Sequence, residues 1–240
     1  MAINSDIEWT NATWNPITGC TKISPGCMNC YAERMSKRLQ AMGSKNYLKG
    51  FKLSFHRESF TIPLNWKKPQ IIFVNSMSDI FHKDVPDSII LELIEFMRNT
   101  NWHIYQLLTK RAERLEILSK KINWPENVWM GVSVENQDYV YRIEHLKKTN
   151  ARIKFISFEP LLGPIRKINL HGIDWVIVGG ESGPGARPIQ EDWILDIKQK
   201  CIKTKIPFFF KQWGGVRKKE TGRMLQGKIW NEWPKVNVFQ

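Results

Sequence analysis

The chain contains the stretch Trp175-Val176-Ile177-Val178-Gly179-Gly180-Glu181-Ser182, in which a short apolar strand passes directly into polar residues. Five other segments have the same form, and their apolar parts are Ile71–Val74, Trp102–Leu108, Val128–Val132, Ile153–Ile156 and Pro207–Phe210. Nearly continuous apolar strands are typical of a sheet that is covered on both faces, or of a barrel interior.

Helical patterns separate several of these strands, which indicates parallel β/α units. Apolar residues recur at helical spacing in Ser88–Asn99 and Gln190–Lys203, a further helix is predicted over Tyr31–Gln40, and a first strand within Ile7–Trp14. We predict the α/β class, as a partial TIM-like (β/α) barrel of about six to seven parallel strands. A doubly wound open sheet would give the same local pattern.

The length of 240 residues suits a single domain. We expect one domain over residues 1–240, with a possible insertion at 43–69 and a basic C-terminal cover at 214–240. No apolar run is long enough to span a bilayer, and the first residues lack the features of a signal peptide. The sequence therefore predicts a cytoplasmic protein with no membrane association.

The charge of the chain is strongly positive, with 36 Lys and Arg against 23 Asp and Glu, a net charge of +13. Such an excess favours polyanionic partners, nucleic acid above all. Trp213, Trp230 and Trp233 lie near the basic tail, where they are candidates to stack on bases. A basic surface without such a partner is the alternative interpretation.

Three cysteines, Cys20, Cys27 and Cys30, have the spacing C-x6-C-x2-C. In the cytoplasm thiols stay reduced, so clustered cysteines predict metal ligands rather than disulfides. Closed iron–sulfur clusters and structural zinc sites usually use four ligands, whereas three thiolates can hold a four-iron cluster and leave one iron open. The alternative is a zinc site completed by a distant ligand such as His82. Cys201 lies on an apolar helix face and is predicted to be a core residue.

Polar residues follow the strands at the edge where β/α barrels have their active sites. Four acids follow strand ends: Asp79, Glu135, Glu159 and Glu181. Two interpretations are open, since the acids can contact a ligand or pair with neighbouring cations. Four cations are candidates to bind a substrate phosphate or the carboxylate of a cofactor: Lys110, Arg111, Arg187 and Lys211. The glycines at 179 and 180 would let the backbone approach a ligand closely.

Four segments together resemble a known family: Thr18-Gly19-Cys20, Ser24-Pro25-Gly26-Cys27-Met28-Asn29-Cys30-Tyr31-Ala32-Glu33, Ser76-Met77-Ser78-Asp79-Ile80-Phe81-His82 and Gly179-Gly180-Glu181-Ser182-Gly183. A strand, a three-cysteine loop, a helix and further β/α units resemble the radical SAM enzymes. More closely, the segments resemble a phage and prophage protein family without established function, which often neighbours a gene for a three-Cys-motif partner protein. The first gap is six residues where the superfamily usually has three, and Asn29 stands where an aromatic residue is usual.

The resemblance implies a partial barrel of the radical SAM type, with a [4Fe-4S] cluster on the three cysteines and S-adenosylmethionine on the open iron. A low-potential electron donor would then allow formation of a 5'-deoxyadenosyl radical that abstracts hydrogen from a nucleic acid or nucleotide substrate. The residues expected to position S-adenosylmethionine are Ser76, Asp79, Ser133, Glu135, Glu159, Gly179, Gly180 and Glu181. The alternatives are a non-catalytic nucleic-acid-binding protein with structural zinc or a structural cluster, and a metal-independent hydrolase.

Overall fold

The computed structural model describes residues 2–3 and 5–235. The strands are β1 (Ala2–Ile3), β2 (Ala12–Trp14), β3 (Ile17–Thr18), β4 (Ser54–Phe55), β5 (Ile71–Val74), β6 (Ile104–Thr109), β7 (Val128–Ser133), β8 (Ile153–Phe158), β9 (Trp175–Gly179), β10 (Phe208–Gln212), β11 (Met224–Leu225) and β12 (Lys228–Ile229). The α-helices are α1 (Tyr31–Ala41), α2 (Asp87–Asn99), α3 (Ala112–Ser119), α4 (Tyr141–Lys147), α5 (Glu191–Thr204) and α6 (Lys218–Thr221). Short 3-10 helices cover Pro25–Cys27, Lys45–Tyr47, Arg57–Ser59, Ile62–Asn65 and Gln137–Tyr139.

Eight of these strands form one sheet across the described residues, in the order β1-β2-β5-β6-β7-β8-β9-β10. The short β1 runs antiparallel to β2, and every later pair of neighbours is parallel. The order ends at β1 and β10, so the sheet is a partial barrel. The expectation of six to seven parallel strands is confirmed at seven.

Side chains on the strands alternate between the barrel interior and the helix-covered exterior, as the period of two in a strand requires. In β8, Ile153 and Phe155 point inward, whereas Ile156 and Phe158 pack beneath the helices. The interior holds a largely aromatic cluster of Trp9, Phe73, Ile104, Trp129, Ile153, Phe155, Trp175, Ile177 and Phe209. Gly131 leaves room for it, because a Cβ there would lie 2.5 Å from the Phe155 ring.

The predicted helices are confirmed within one residue at each end. In α2 the buried residues are Ile89, Ile90, Leu93, Ile94 and Met97, which lie on one face because they occupy positions i, i+1, i+4, i+5 and i+8. Helix α5 buries Ile194, Ile197 and Cys201 against the sheet and ends at Thr204, after which Lys205 has a φ of 58°. Cys201 is therefore a core residue, as its helical position predicts. No helix among the described residues is both long and apolar enough to cross a membrane.

The two segments outside the regular β/α pattern pack on different sides of the barrel. Residues 43–69 contain β4, which pairs with β3, and bury Phe60 and Trp66 in the exterior core. The chain after β10 returns antiparallel along that edge strand, where the Phe210 N–H donates to the Trp230 carbonyl at 3.0 Å.

Beyond this edge contact, Trp233 stacks on Trp175, with ring centroids 4.7 Å apart, and packs against the interior cluster from the amino ends of the strands. Trp230 packs against the exterior core. Both rings are thus used at least partly in packing, and the role of Trp213, Trp230 and Trp233 as base-stacking groups stays a prediction. Residues 236–240 of the predicted cover lie outside the described residues.

A candidate active site at the carboxyl ends of the strands

A cavity of about 520 Å³ opens where the parallel strands end, and the three cysteines of the loop after β3 line it. The cavity also brings together most of the predicted site residues: Ser76, Asp79, Lys110, Arg111, Ser133, Glu159, Gly180, Glu181 and Lys211. Three predicted residues, Glu135, Gly179 and Arg187, are not among the residues that line it. Residues so distant in sequence meet because the carboxyl ends of parallel strands lie at one edge of the sheet.

The three thiols are each partly exposed. Within the described part of the chain, no three His, Cys, Asp or Glu side chains converge as the ligands of a single metal ion would. A four-iron cluster does not require the thiolates to converge on a single ion. Each thiolate binds a different iron, so the three sulfurs stand further apart than the ligands of one metal ion do. Burial, together with the nearby Asp79 carboxylate, raises the pKa of the Cys20 thiol to about 11. Soft sulfur donors around one cavity suit a cluster of irons.

Arg111 holds the start of the cysteine loop to the end of β6. Its guanidinium donates to Asp79 Oδ2 at 2.8 Å and to the Thr21 carbonyl at 3.0 Å, directly after Cys20. Asp79 also accepts bonds from the Thr109 hydroxyl, at 2.7 and 2.9 Å, so its oxygens are already used within the protein.

His82 supports the same point of the loop. Its Nδ1 accepts from the Asp84 backbone N–H, which leaves Nε2 to donate to Thr21 Oγ1 at 2.9 Å. Burial, with the Arg111 guanidinium nearby, lowers the pKa of His82, which favours the neutral ring. Both ring nitrogens are engaged, so the structure does not place His82 as a fourth metal ligand.

Glu135 holds the middle of the loop from the end of β7. Its side chain is 0% exposed and pairs with Arg142 at 2.9 Å, and it accepts a short hydrogen bond from the Ser24 hydroxyl. A Cβ on Gly26 would lie 2.5 Å from the Glu135 side chain, so the loop passes directly over the carboxylate. Lys110 Nζ is more distant, at 3.9 Å from Glu135 Oε1.

Glu181 holds the end of the loop from the turn after β9. It accepts from Asn29 Nδ2 at 2.9 Å and from the Arg187 guanidinium at 2.6 Å, and Arg187 also donates to the Pro25 carbonyl. Burial by itself would raise the pKa of Glu181, but the hydrogen bonds from Arg187 and Asn29 outweigh it and lower the pKa. Asn29 also donates to the Gly185 carbonyl at 2.7 Å.

Glu159, the fourth acid, sits beside the cavity at the end of β8. Its Oε1 is 3.1 Å from Lys211 Nζ, and its Oε2 accepts from the Ser157 hydroxyl at 3.0 Å. Lys211 therefore serves the protein as an ion-pair partner as well as lining the cavity. The carboxylate remains 14% exposed, more than Asp79 or Glu181.

All four strand-end acids therefore pair with a cation. This agrees with the second interpretation of the sequence, in which the acids are partners of neighbouring cations. Glu135 and Glu181 bond to the cysteine loop directly, and Asp79 acts on it through Arg111. Glu135 lies beneath the loop rather than on the cavity wall. Two residues that sequence reasoning missed complete these contacts, Asn29 and Arg142. Asn29 carried one signal, as a polar residue at a position where the resembled superfamily usually has an aromatic one. Arg142 carried none, because a single arginine in a charged helix looks like surface.

A second cavity, of about 880 Å³, lies at the opposite end of the barrel beneath Trp233. Its acidic groups bond to the backbone: Asp174 accepts from the Lys154 N–H at 2.8 Å, and Glu232 from the Phe208 N–H at 2.9 Å. These groups fix the edges of strands, so we place the candidate site at the carboxyl ends.

The comparisons with known proteins agree with this architecture. A family model described as a protein of unknown function (DUF5131) matches residues 4–234. The search of curated proteins found no match. Among solved structures, a point mutant of spore photoproduct lyase is similar, with 15% identity, a TM-score of 0.52 and coverage of 75% of this chain and 58% of that chain. Spore photoproduct lyase complexed with dinucleoside spore photoproduct matches at 14% identity and a TM-score of 0.48, over 78% and 59% of the two chains.

At such low identity the likeness to the point mutant shows the fold alone. It confirms the partial (β/α) barrel of the radical SAM type that the sequence predicted. The chain spans about three fifths of the length of that lyase.

Proposed function

This chain belongs to the DUF5131 family of proteins of unknown function, and from that premise we propose that it is a radical SAM enzyme acting on a nucleic acid or nucleotide. The observation that carries the proposal is that three thiols from one loop line a single cavity at the carboxyl end of a partial β/α barrel. In barrels of this kind that end is where chemistry takes place.

The donor set fits a [4Fe-4S] cluster held by Cys20, Cys27 and Cys30. When bound, the cluster and S-adenosylmethionine would supply a hydrogen-abstracting 5'-deoxyadenosyl radical, given an electron from a low-potential donor. The chain's own contribution is to hold the loop in place through Arg111, Glu135 and other strand-end residues. Helix α1 begins directly after Cys30, where its N-terminus favours a negatively charged thiolate.

Several cavity-lining groups remain for S-adenosylmethionine. We assign Ser76, Ser133, Glu159 and Gly180 to this role, because each lines the cavity. Asp79 and Glu181 also line it, but their oxygens accept several bonds within the protein, so we assign them first to the cysteine loop. Glu135 and Gly179 do not line the cavity, so their contact with S-adenosylmethionine stays a prediction.

A basic rim beside the cavity supports a nucleic acid substrate. Residues 34–57 contain no Asp or Glu, and their exposed cations are Lys37, Arg38, Lys45, Lys49, Lys52 and Arg57. Two of these pair with acids of other segments, Lys37 with Glu33 and Arg57 with Glu92. Apolar side chains are interleaved with them, with Met42 69% and Leu48 64% exposed. The rim adjoins the site because the Cys20 N–H donates to the Phe51 carbonyl, and Phe51 lines the cavity. Exposed cations grouped beside the cavity suit the phosphates of a polynucleotide backbone.

The test is the iron and sulfide content of anaerobically purified protein, with EPR spectra recorded before and after S-adenosylmethionine is added. We expect about four irons per chain and a reduced spectrum that S-adenosylmethionine perturbs. Cys27→Ala should lose the cluster, whereas the matched control Cys201→Ala should retain it, because Cys201 is buried on α5 away from the loop. Zinc, or no metal, would refute the proposal.

A cluster whose spectrum ignores S-adenosylmethionine would instead favour a non-catalytic nucleic-acid-binding protein with a structural cluster. The complete pairing of the strand-end acids is the observation that favours this second candidate, since paired carboxylates are less available to a cofactor. A phage origin and a three-Cys-motif partner protein stay predictions from the resemblance.

A further inference from the structure

Two segments meet across the open side of the partial barrel, between the sheet edge at β1 and β2 and the edge at β10. Residues 5–9 precede β2, and α6 follows β10. Their contact is an ion pair, in which Lys218 Nζ lies 3.3 Å from Glu8 Oε1. Ile7 and Trp9 line the candidate cavity from one side of this contact, and Lys218 lines it from the other.

The Lys218 side of the contact is a compact loop over residues 214–222. Its two ends meet, because the Trp213 N–H donates to the Gly222 carbonyl at 3.2 Å. Its base is fixed to the turn after β9, where the Gly215 N–H donates to the Glu181 carbonyl at 2.7 Å. Compact surface loops with their ends close together are frequently functional.

The tip of this loop has few contacts with the rest of the protein. It contains α6, in which no residue is buried, and Val216 is 68% exposed. Gly215 and Gly222 border the tip with φ values of 90° and 66°, which glycine adopts without steric cost. Segments with few buried contacts open at a low free-energy cost, and lids over active sites are of this kind. We call residues 216–221 the lid.

The lid carries more positive than negative charge. Arg217, Lys218 and Lys219 precede one acid, Glu220, which pairs with Arg217 at 3.2 Å. The side chain of Lys218 is 33% exposed, and that of Glu8 is 21% exposed. An ion pair with this much exposure is weak, so a phosphate group can compete with Glu8 for the ammonium group of Lys218.

Glu8 keeps a second positive charge nearby when Lys218 leaves. Burial lowers the pKa of Arg223, and the Glu8 carboxylate acts in the opposite direction, so the two charges interact. Arg223 is held independently of the lid, since its guanidinium donates to the Phe210 carbonyl at 3.1 Å. The exchange of partners by Lys218 therefore does not leave the Glu8 carboxylate uncompensated.

We infer that Lys218 binds a phosphate group of a nucleic acid strand at the open side of the barrel, and that Glu8 holds this lysine in the free protein. Binding exchanges one ion pair for another, and the lid moves with Lys218 onto the strand. The inference rests on the proposed function, since the strand would be the nucleic acid substrate of the same cavity.

The first test measures the affinity for a labelled single-stranded oligodeoxythymidylate by fluorescence anisotropy at several salt concentrations. Lys218→Gln should bind about threefold more weakly and lower the salt dependence by about one phosphate contact. Glu8→Gln should bind about fivefold more tightly, because no carboxylate competes for the ammonium group. The matched control is Glu220→Gln, which removes the same charge from the lid itself and should stay within about twofold of the wild-type affinity.

The second test follows the lid in the free protein, without nucleic acid, by hydrogen exchange and mass spectrometry. Glu8→Gln and Lys218→Gln should each accelerate exchange of the lid amides about fivefold, because each removes the ion pair that holds the lid. Lys219→Gln is the matched control, since it removes the same charge from the next position of α6 and should leave the rates unchanged. Thermal unfolding of each variant verifies that it is folded.

Equal affinities of Glu8→Gln and Glu220→Gln would overturn the inference, because the gain would then come from net charge alone. Unchanged exchange of the lid in Glu8→Gln, or equal acceleration in Lys219→Gln, would overturn it as well. A wild-type protein that binds no oligonucleotide would refute the nucleic acid substrate of the proposed function and the ligand of Lys218 together. The EPR response to S-adenosylmethionine is measured separately, so failure of the lid and failure of the radical SAM assignment give different results.

Discussion

The ionised side chains at the strand ends are used in pairs. Each acid lies close to one cation: Asp79–Arg111 at 2.8 Å, Glu135–Arg142 at 2.9 Å, Glu159–Lys211 at 3.1 Å and Glu181–Arg187 at 2.6 Å. A carboxylate taken out of water loses its hydration and must be compensated by a partner. Asp79, Glu135 and Glu181 therefore position the cysteine loop, whereas Glu159 lines the cavity beside Lys211.

Glu181 should make the stability of the fold depend on pH. Its pKa in the folded protein lies below the ordinary value of 4.5, so its stabilising effect is complete above that pH and is lost as the pH falls through the folded value. We expect the free energy of unfolding, from urea titrations between about pH 3 and pH 6, to fall less steeply with acid in Glu181→Gln than in the wild-type protein.

The control for this experiment is Glu126→Gln, because the Glu126 side chain is 81% exposed. Its pH profile should follow that of the wild-type protein. If Glu181→Gln followed it as well, the bonds from Arg187 and Asn29 would have no measurable effect on the carboxyl group.

At the scale of elements, the cysteine loop is held at three points by residues from different strands. Arg111 after β6 holds Thr21, Glu135 after β7 holds Ser24, and the turn after β9 holds Asn29 through Glu181. The six residues between the first two cysteines carry two of these contacts. The long first gap is thus a segment with its own attachments to the barrel.

Helix α4 supplies the residue that makes the middle attachment possible. Arg142 is 1% exposed and also donates to the Ser133 carbonyl at 2.8 Å. Replacing it in Arg142→Met would leave the buried Glu135 without its main partner. We expect the free energy of unfolding to fall by about 3–5 kcal/mol and the iron content after reconstitution to fall with it.

The matched control is Arg152→Met, which removes the exposed ion pair with Glu126. An exposed pair contributes within about 1 kcal/mol, so stability and iron content should stay near those of the wild-type protein. Equal losses in the two variants, measured by guanidinium titration and iron analysis, would show that the Glu135 pair has no special role.

At the scale of the whole molecule, the partial barrel is completed by the chain that follows its last strand. That chain runs back along β10, and Trp233 packs against the interior cluster at the amino ends of the strands. Trp233 contacts the rings of Trp129, Trp175 and Phe209. The C-terminal segment therefore packs on the barrel at the end opposite the candidate site.

Removal of this ring in Trp233→Ala should destabilise the whole barrel. We expect the free energy of unfolding to fall by about 3 kcal/mol, the lower end of the cost of truncating a buried aromatic ring, because Trp233 is only partly buried. Trp102→Ala is the control, since Trp102 is 38% exposed and should cost clearly less. Comparable losses in urea unfolding would contradict the role given to Trp233.

The sequence by itself determined the parallel strands, helices α1, α2 and α5, and the edge of the sheet where the candidate site lies. Those features depend on local patterns: apolar runs mark buried strands, helical spacing marks one-sided helices, and a polar residue after a strand marks its carboxyl end. The cysteine spacing is local in the same sense, so the loop and its three candidate ligands were also predictable.

Only the tertiary structure decided which residues hold the loop and which of them line the cavity. Asn29 and Glu181 lie 152 positions apart, and Ser24 and Glu135 lie 111 apart. Gln212 reaches the cavity through a shift of register within β10, and Trp233 reaches the interior cluster by a return of the chain. A sequence pattern reports whether a residue is buried, but its partner depends on how the whole sheet curves and brings distant segments together.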